Sequence, residues 1–241
     1  MSLDPKEKLI VALDFPDAEQ ALMFVEEMGD AVSYYKVGLG LFCIAGPAIV
    51  NQLKALGKKV FLDLKFHDIP ATVVAASARA VEIGADMFNI HAVGGIAMMR
   101  AAAASAREAA EREKKELPVV LAVTVLTSLD IRTLQEEIGI STKSLRSFVV
   151  EKSRQAQEAG LGGVVASAQE AVDIRSACGN DFQIVTPGIR PAWASMDDQR
   201  RITTPAEALA LGVDRIVVGR PITRADNPLD AVEKIIAELV K

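Results

Sequence analysis

Eight short apolar, β-rich runs recur along this chain, each separated from the next by a segment of different character. They fall at about 9–15, 35–42, 59–66, 87–93, 119–127, 162–167, 183–188 and 215–219. After the first run, 17–28 carries Ala18, Ala21, Leu22 and Val25 at the i, i+3, i+4, i+7 spacing of a helix with one buried face. Residues 96–115 are rich in Ala, Arg and Glu, and this helical pattern stops ahead of Pro118. The stretches 205–211 and 228–240 each open on proline, whose fixed φ and missing N–H suit a first helical turn. Strands alternating with helices pair in parallel beneath a helical cover. Eight such units are expected to close as a (β/α)8 (TIM) barrel rather than spread as an open doubly wound sheet. The glycine-rich dinucleotide fingerprint is missing after the first run, where Asp14-Phe15-Pro16-Asp17 stands instead.

The size agrees with this. At 241 residues and 50% hydrophobic content the chain is long enough for one large core, and single barrels of this kind run to about 250 residues. No low-complexity segment or long linker interrupts it, so residues 1–241 are expected to form one catalytic domain. The net charge of −5 excludes a surface built to coat nucleic acid, which needs a basic excess. No apolar run reaches the roughly 18 residues that would mark a bilayer span. The first eight residues lack the basic start and apolar core of a secretory leader. Cys43 and Cys178 lie far apart without metal-ligand spacing, as expected of reduced structural thiols. The expectation is a cytoplasmic protein with no membrane and no nucleic-acid partner.

In such barrels chemistry gathers at the C-terminal ends of the strands. Those ends carry Asp14, then Lys36, then Asp63, Lys65 and Asp68, then His91, Thr127 with Ser128, Arg190, and finally Gly219 with Arg220. The densest stretch is Phe61-Leu62-Asp63-Leu64-Lys65-Phe66-His67-Asp68-Ile69-Pro70. In a regular strand residues i and i+2 face the same way, so Asp63 and Lys65 are expected to share one space. Charges buried in that way must be paired. Taken alone, the two fit a structural ion pair as well as an active site. Asp68, at the exit where Ile69-Pro70 ends the strand, tips the reading toward an active site. His67 is out of phase with the two charges and is expected to make a structural hydrogen bond, and His91 to order the turn that follows it. No Ser–His–Asp, Cys–His or HExxH pattern is present, so nucleophilic hydrolysis and zinc chemistry are poorly supported.

The last two strands are the usual phosphate end of this fold. Here Thr186-Pro187-Gly188-Ile189-Arg190 leads into a long connection, 191–204, containing Trp193, Gln199, Arg200 and Arg201. Its length points to a lid closing over ligand. At Gly219 the backbone N–H can approach a phosphate oxygen, with Arg190 or Arg220 supplying a fork of donors.

Together these segments resemble the orotidine 5'-phosphate decarboxylase family, from Leu9-Ile10-Val11-Ala12-Leu13-Asp14 to Val218-Gly219-Arg220-Pro221-Ile222. The most specific match is Asp63-Leu64-Lys65-Phe66-His67-Asp68-Ile69-Pro70, supported by Lys36-Val37-Gly38, Leu126-Thr127-Ser128 and Thr186-Pro187-Gly188-Ile189-Arg190. A departure is Ala71, where many relatives carry Asn ahead of Thr72. The resemblance implies loss of CO2 from orotidine 5'-phosphate without metal or cofactor, as the last step of de novo uridine monophosphate synthesis. It also implies a homodimer in which Asp68 and Thr72 reach the neighbouring subunit's site. Lys65 would stabilise and protonate the C6 carbanion, with Asp63, Asp68 and Lys36 around it. Asp14 and Lys36 would contact the ribose, Asp63 the substrate carboxylate and Thr127 the pyrimidine. Gln199 would bridge base and phosphate, and Arg190, Gly219 and Arg220 would bind the phosphate.

Two rivals share parts of this pattern. Sugar-phosphate decarboxylases and aldolases of the same superfamily keep Asp-x-Lys-x-x-Asp but use Mg2+ and typically place an acidic residue where this chain has Lys36. A non-catalytic nucleotide-binding barrel would need no Asp63–Lys65 pair.

Overall fold

The computed structural model describes residues 3–193 and 203–240. Eight strands close a parallel barrel in chain order: β1 Leu9–Ala12, β2 Tyr34–Gly38, β3 Lys59–Phe66, β4 Met87–His91, β5 Val119–Val123, β6 Gly163–Val165, β7 Gln183–Thr186 and β8 Arg215–Val218. Closure is made by β1 against β8, with Leu9 opposite Ile216 and Val11 opposite Val218. The helices are α1 Pro5–Lys8, α2 Ala18–Met28, α3 Leu39–Ala45, α4 Ala48–Ala55, α5 Pro70–Glu82, α6 Gly95–Glu113, α7 Leu145–Glu158, α8 Ala171–Cys178, α9 Pro205–Ala210, α10 Arg220–Thr223 and α11 Pro228–Leu239.

Local chemistry sets the helix starts. Asp17 caps α2 by accepting from Gln20 N–H at 2.8 Å, satisfying a donor that the first turn leaves without a partner. Thr204 and Glu207 form a reciprocal capping box at α9, with Pro205 in the first turn. Asn227 caps α11 ahead of Pro228, and the helix then buries Ala231, Val232, Ile235 and Leu239 along one face. Each large aliphatic side chain buried in this way contributes about 1.5–3 kcal/mol.

Two apolar layers follow from the period of two along the strands. Leu9, Val11 and Leu13 turn outward and join a core shared with the helices. Ile10, Ala12, Tyr34, Phe61, Met87, Leu121, Val123, Val165, Val185 and Val217 fill the barrel interior. Continuing the inward phase toward the strand ends replaces these apolar side chains with Lys36, Asp63 and Asn89, so the interior turns polar at its C-terminal mouth.

Some expected strands end early. The run 35–42 divides, because β2 stops at Gly38 and Leu39–Ala45 is helical. Short apolar runs suit either state, and the tertiary setting decides which forms. The run 119–127 leaves the sheet after Val123, where Thr124 turns its hydroxyl to the Val165 carbonyl at 3.1 Å. Cys43 is exposed and Cys178 buried, and both are free thiols. No described helix is long and apolar enough to cross a membrane.

Candidate active site

Four charges alternate in sign across the mouth between β1 and β3. Lys36 Nζ stands 3.1 Å from Asp14 Oδ1 and 3.4 Å from Asp63 Oδ2. Asp63 Oδ1 in turn receives the Lys65 ammonium at 2.6 Å. The Lys36 and Asp63 side chains are only 11% and 13% exposed, while that of Asp14 is 68% exposed and opens to solvent. An ion held that far from water costs several kcal/mol unless opposite charge and hydrogen bonds surround it. Each of the two buried members here touches more than one partner.

The pairing of Asp63 with Lys65 agrees with the sequence reading, but its geometry does not. The ladder to β4 pairs Leu62 with Phe88 and next pairs Phe66 with Ile90, so β3 bulges between them. Within the bulge Lys65 has φ of +53°, in the left-handed region. A lysine there costs on the order of 1–3 kcal/mol. The two charges meet because the backbone leaves the regular pleat, not because they are two apart on a flat strand.

Two residues to which the sequence alone assigns no role, Asn89 and Gly38, support the cluster. Asn89, buried on β4, donates from Nδ2 to Asp63 Oδ1 at 2.7 Å and accepts the Lys65 N–H at 2.8 Å. Its signal was a lone amide in an apolar run, in phase with His91. Gly38 has a steric role, since a Cβ there would lie 2.9 Å from Lys36 Nζ and 3.3 Å from Asp14 Oδ1. A side chain at this position would occupy the space that the ammonium and carboxylate use.

The other expected residues divide into groups. Thr127 lines a cavity of about 200 Å3 with Lys36, Asp63, Lys65, Ser128, Pro187 and Val217 among others. Gly219 stands beside Asp14, since a Cβ on it would lie 3.8 Å from Asp14 Oδ2. Arg220 opens α10 next to it. Arg190 is buried, donates to the Ile189 carbonyl at 3.2 Å, and its N–H bonds Thr203 O at 3.1 Å. That bond ties together the two ends of the 191–204 connection. Trp193 lies against Lys234 of α11, with Nζ 5.8 Å from the ring centroid. Gln199, Arg200 and Arg201 lie outside the described residues.

Asp68 and Thr72 are exposed on the rim, outside the four-charge cluster. Asp68 Oδ1 accepts from Ile69 N–H at 2.6 Å and forms no ion pair with Lys65 in this chain. His67 behaves differently from expectation. His67 meets His91 ring to ring at 5.5 Å between centroids, a packing contact in place of the expected hydrogen bond. Burial pushes the His91 imidazole below the usual histidine range, helped by His67 and Lys65 and opposed by Asp63. Elsewhere a wider groove of about 560 Å3 runs along α7 and is lined by Arg146, Glu151, Arg154, Glu158 and Asp173. Its charges lie on the outer surface, where Arg146 already pairs with Asp173 at 2.8 Å.

A closed parallel barrel with a buried, alternating lysine–aspartate network at its C-terminal mouth has the architecture of a barrel enzyme acting on a small, charged substrate. A family model described as orotidine 5'-phosphate decarboxylase / HUMPS family matches residues 7–235, and the chain belongs to that family. Orotidine 5'-phosphate decarboxylase of Syntrophomonas wolfei is 49% identical over 237 residues, covering 98% of this chain and 99% of the relative. The enzyme of that name from Moorella thermoacetica is 50% identical, covering 97% of this chain and 92% of its own. A crystal structure of orotidine 5'-phosphate decarboxylase from Lactobacillus acidophilus superposes with a TM-score of 0.86 at 36% identity, covering 97% of this chain and 99% of that one.

Proposed function

We propose that this chain converts orotidine 5'-phosphate to uridine 5'-phosphate and CO2 as a carboxy-lyase of pyrimidine biosynthesis, working in the cytoplasm as one catalytic unit over residues 1–241. The observation that carries this reading is the placement of Asp63 between two ammonium groups, Lys65 at 2.6 Å and Lys36 at 3.4 Å. Phosphate recognition alone gives no reason to bury such a network.

In this mechanism the phosphate is held by Arg190, Gly219, Arg220 and Gln199, and Thr127 hydrogen-bonds the pyrimidine. Asp14 and Lys36 contact the ribose. The substrate carboxylate faces Asp63. As the C6–carboxyl bond breaks, its electron pair stays on C6 and CO2 departs. The Lys65 ammonium stands beside the carbanion and delivers its proton to C6, and water later restores the lysine proton. Two like charges about 4 Å apart at an effective dielectric near 20 repel by roughly 4 kcal/mol, or about three powers of ten in rate if fully relieved. The larger share therefore falls to a fixed cation aimed at charge that develops only in the transition state.

The same reading makes the protein a homodimer in which Asp68 and Thr72 complete the neighbouring site. Support comes from exposed apolar side chains in the same stretch of chain: Ile69, next to Asp68, is 66% exposed, and Val74, near Thr72, is 39% exposed. Patches of that kind mark surfaces made for association.

The test follows the absorbance of orotidine 5'-phosphate with excess EDTA present. Sustained turnover is expected. Absence of turnover would defeat the proposal, and turnover that vanishes with EDTA would favour the Mg2+-dependent sugar-phosphate relatives.

A further inference from the structure

Asn89 is 1% exposed, and both ends of its amide are committed to the two central residues of the site. Nδ2 donates to Asp63 Oδ1 at 2.7 Å, and Oδ1 accepts the backbone N–H of Lys65 at 2.8 Å. The same Asp63 oxygen receives the Lys65 ammonium at 2.6 Å. One buried amide therefore closes a loop that runs from the Lys65 backbone, along its side chain, to the Asp63 carboxylate and back.

The backbone explains why a side chain is needed there. Between Leu62 and Phe66 the β3–β4 ladder shifts register, so residues 63–65 have no paired residue on β4. Lys65 also holds a φ of +53°, which L-residues other than glycine rarely adopt. A buried N–H in a bulge must find an acceptor. Here the acceptor belongs to the residue that also orients the counter-ion of the lysine.

We infer that Asn89 is a positioning residue for the decarboxylation. It clamps Lys65 in its left-handed conformation and fixes the rotation of the Asp63 carboxylate, so that the ammonium is aimed before substrate arrives. The inference rests on the reading of Lys65 as the cation and proton donor, and deepens it.

Two variants separate the roles of the amide. Asn89→Leu keeps the branched shape with somewhat greater bulk and removes both hydrogen bonds. Asn89→Asp keeps an acceptor for the Lys65 N–H but sets a like charge against Asp63 where a donor stood. Turnover of orotidine 5'-phosphate and equilibrium binding of uridine 5'-phosphate are measured for both, with thermal melting to establish folding. For Asn89→Leu, kcat should fall about 10²-fold, the scale of a displacement of about 1 Å at a reacting centre, while KM and product affinity stay within about threefold. Asn89→Asp should lose turnover in the same direction, because the Asp63 carboxylate turns away from the introduced charge.

A folded Asn89→Leu protein whose kcat stays within about threefold of the parent would overturn the inference. So would a loss of product affinity as large as the loss of kcat, which marks collapse of the pocket rather than misdirection of one cation. If neither variant folds, hydrogen exchange at the Lys65 amide of the unaltered protein decides. Slow exchange supports the clamp, and exchange at the rate of an open loop overturns it. A parent protein that leaves orotidine 5'-phosphate untouched defeats the proposed function instead, and the exchange measurement still tests the clamp.

Discussion

The Asp63 carboxylate and the Lys65 ammonium are two residues apart in the chain and 2.6 Å apart in space, and a bulge in β3 brings them together. A flat strand would point both side chains the same way without closing them onto each other. With Lys65 left-handed, its side chain returns toward Asp63, and Asn89 holds the backbone in that shape. The site is thus pre-organised at a local conformational cost that the surrounding hydrogen bonds offset.

Lys65→Ala should abolish most turnover while leaving the fold intact. A positioned cation contributes about 10²–10³-fold and a proton donor about 10²–10⁴-fold, so the loss in kcat should be about four powers of ten or more. Steady-state kinetics on orotidine 5'-phosphate, with uridine 5'-phosphate binding as the control for an intact pocket, checks this. Turnover near that of the parent would remove Lys65 from the mechanism.

Gly38→Ala should be a kinetic variant more than a stability variant. Its Cβ would meet the flexible end of Lys36 at 2.9 Å rather than a backbone atom, so the barrel can accommodate it by displacing the ammonium. Melting should change little, while kcat falls by about one power of ten or more. A large drop in melting temperature with unchanged kcat would show that Gly38 serves the fold and not the network.

Mixing Lys65→Ala protein with Asp68→Asn protein should restore activity that neither has alone, if sites are shared between subunits. With random exchange of equal amounts, half the dimers are hybrids, and each hybrid has one site free of both changes. Recovery should therefore approach about one quarter of the parent activity. Proven subunit exchange without recovery would count against the contribution of Asp68 across an interface.

His91 should make stability fall as the solution becomes acidic. Its folded imidazole titrates below the ordinary value of 6.5, chiefly through burial. Below pH 6.5 the unfolded chain therefore takes up a proton that the folded chain refuses, and unfolding gains with each further drop until the folded group also titrates. His67 and Lys65 act in the same direction, and Asp63 opposes them. Urea midpoints measured from neutral pH down to about pH 5 should decline less for His91→Asn than for the parent. Parallel declines in the two proteins would contradict the assignment.

Much of this was legible in the chain itself. Eight apolar runs separated by helical patterns point to a parallel sheet covered by helices, and the count of eight favours closure into a barrel over an open doubly wound sheet. Asp14, Lys36, Asp63 and Lys65 could be placed at its mouth because they fall at the C-terminal ends of the strands, where barrels of this kind gather their chemistry. Asn89 could not. An amide in an apolar strand is ambiguous until its neighbours are known, and its two partners lie 24 and 26 residues away across a shifted register. The need for glycine at position 38 was not legible either, because it arises from Lys36 and Asp14 filling the space that its missing side chain leaves. The left-handed turn at Lys65 has no local signature either, since lysine does not favour it. What the sequence determined by itself was periodicity and the chemistry along each strand. Only the tertiary structure decided where the backbone departs from the pleat and which buried group stabilises that departure, because both depend on contacts between strands that local propensity does not encode.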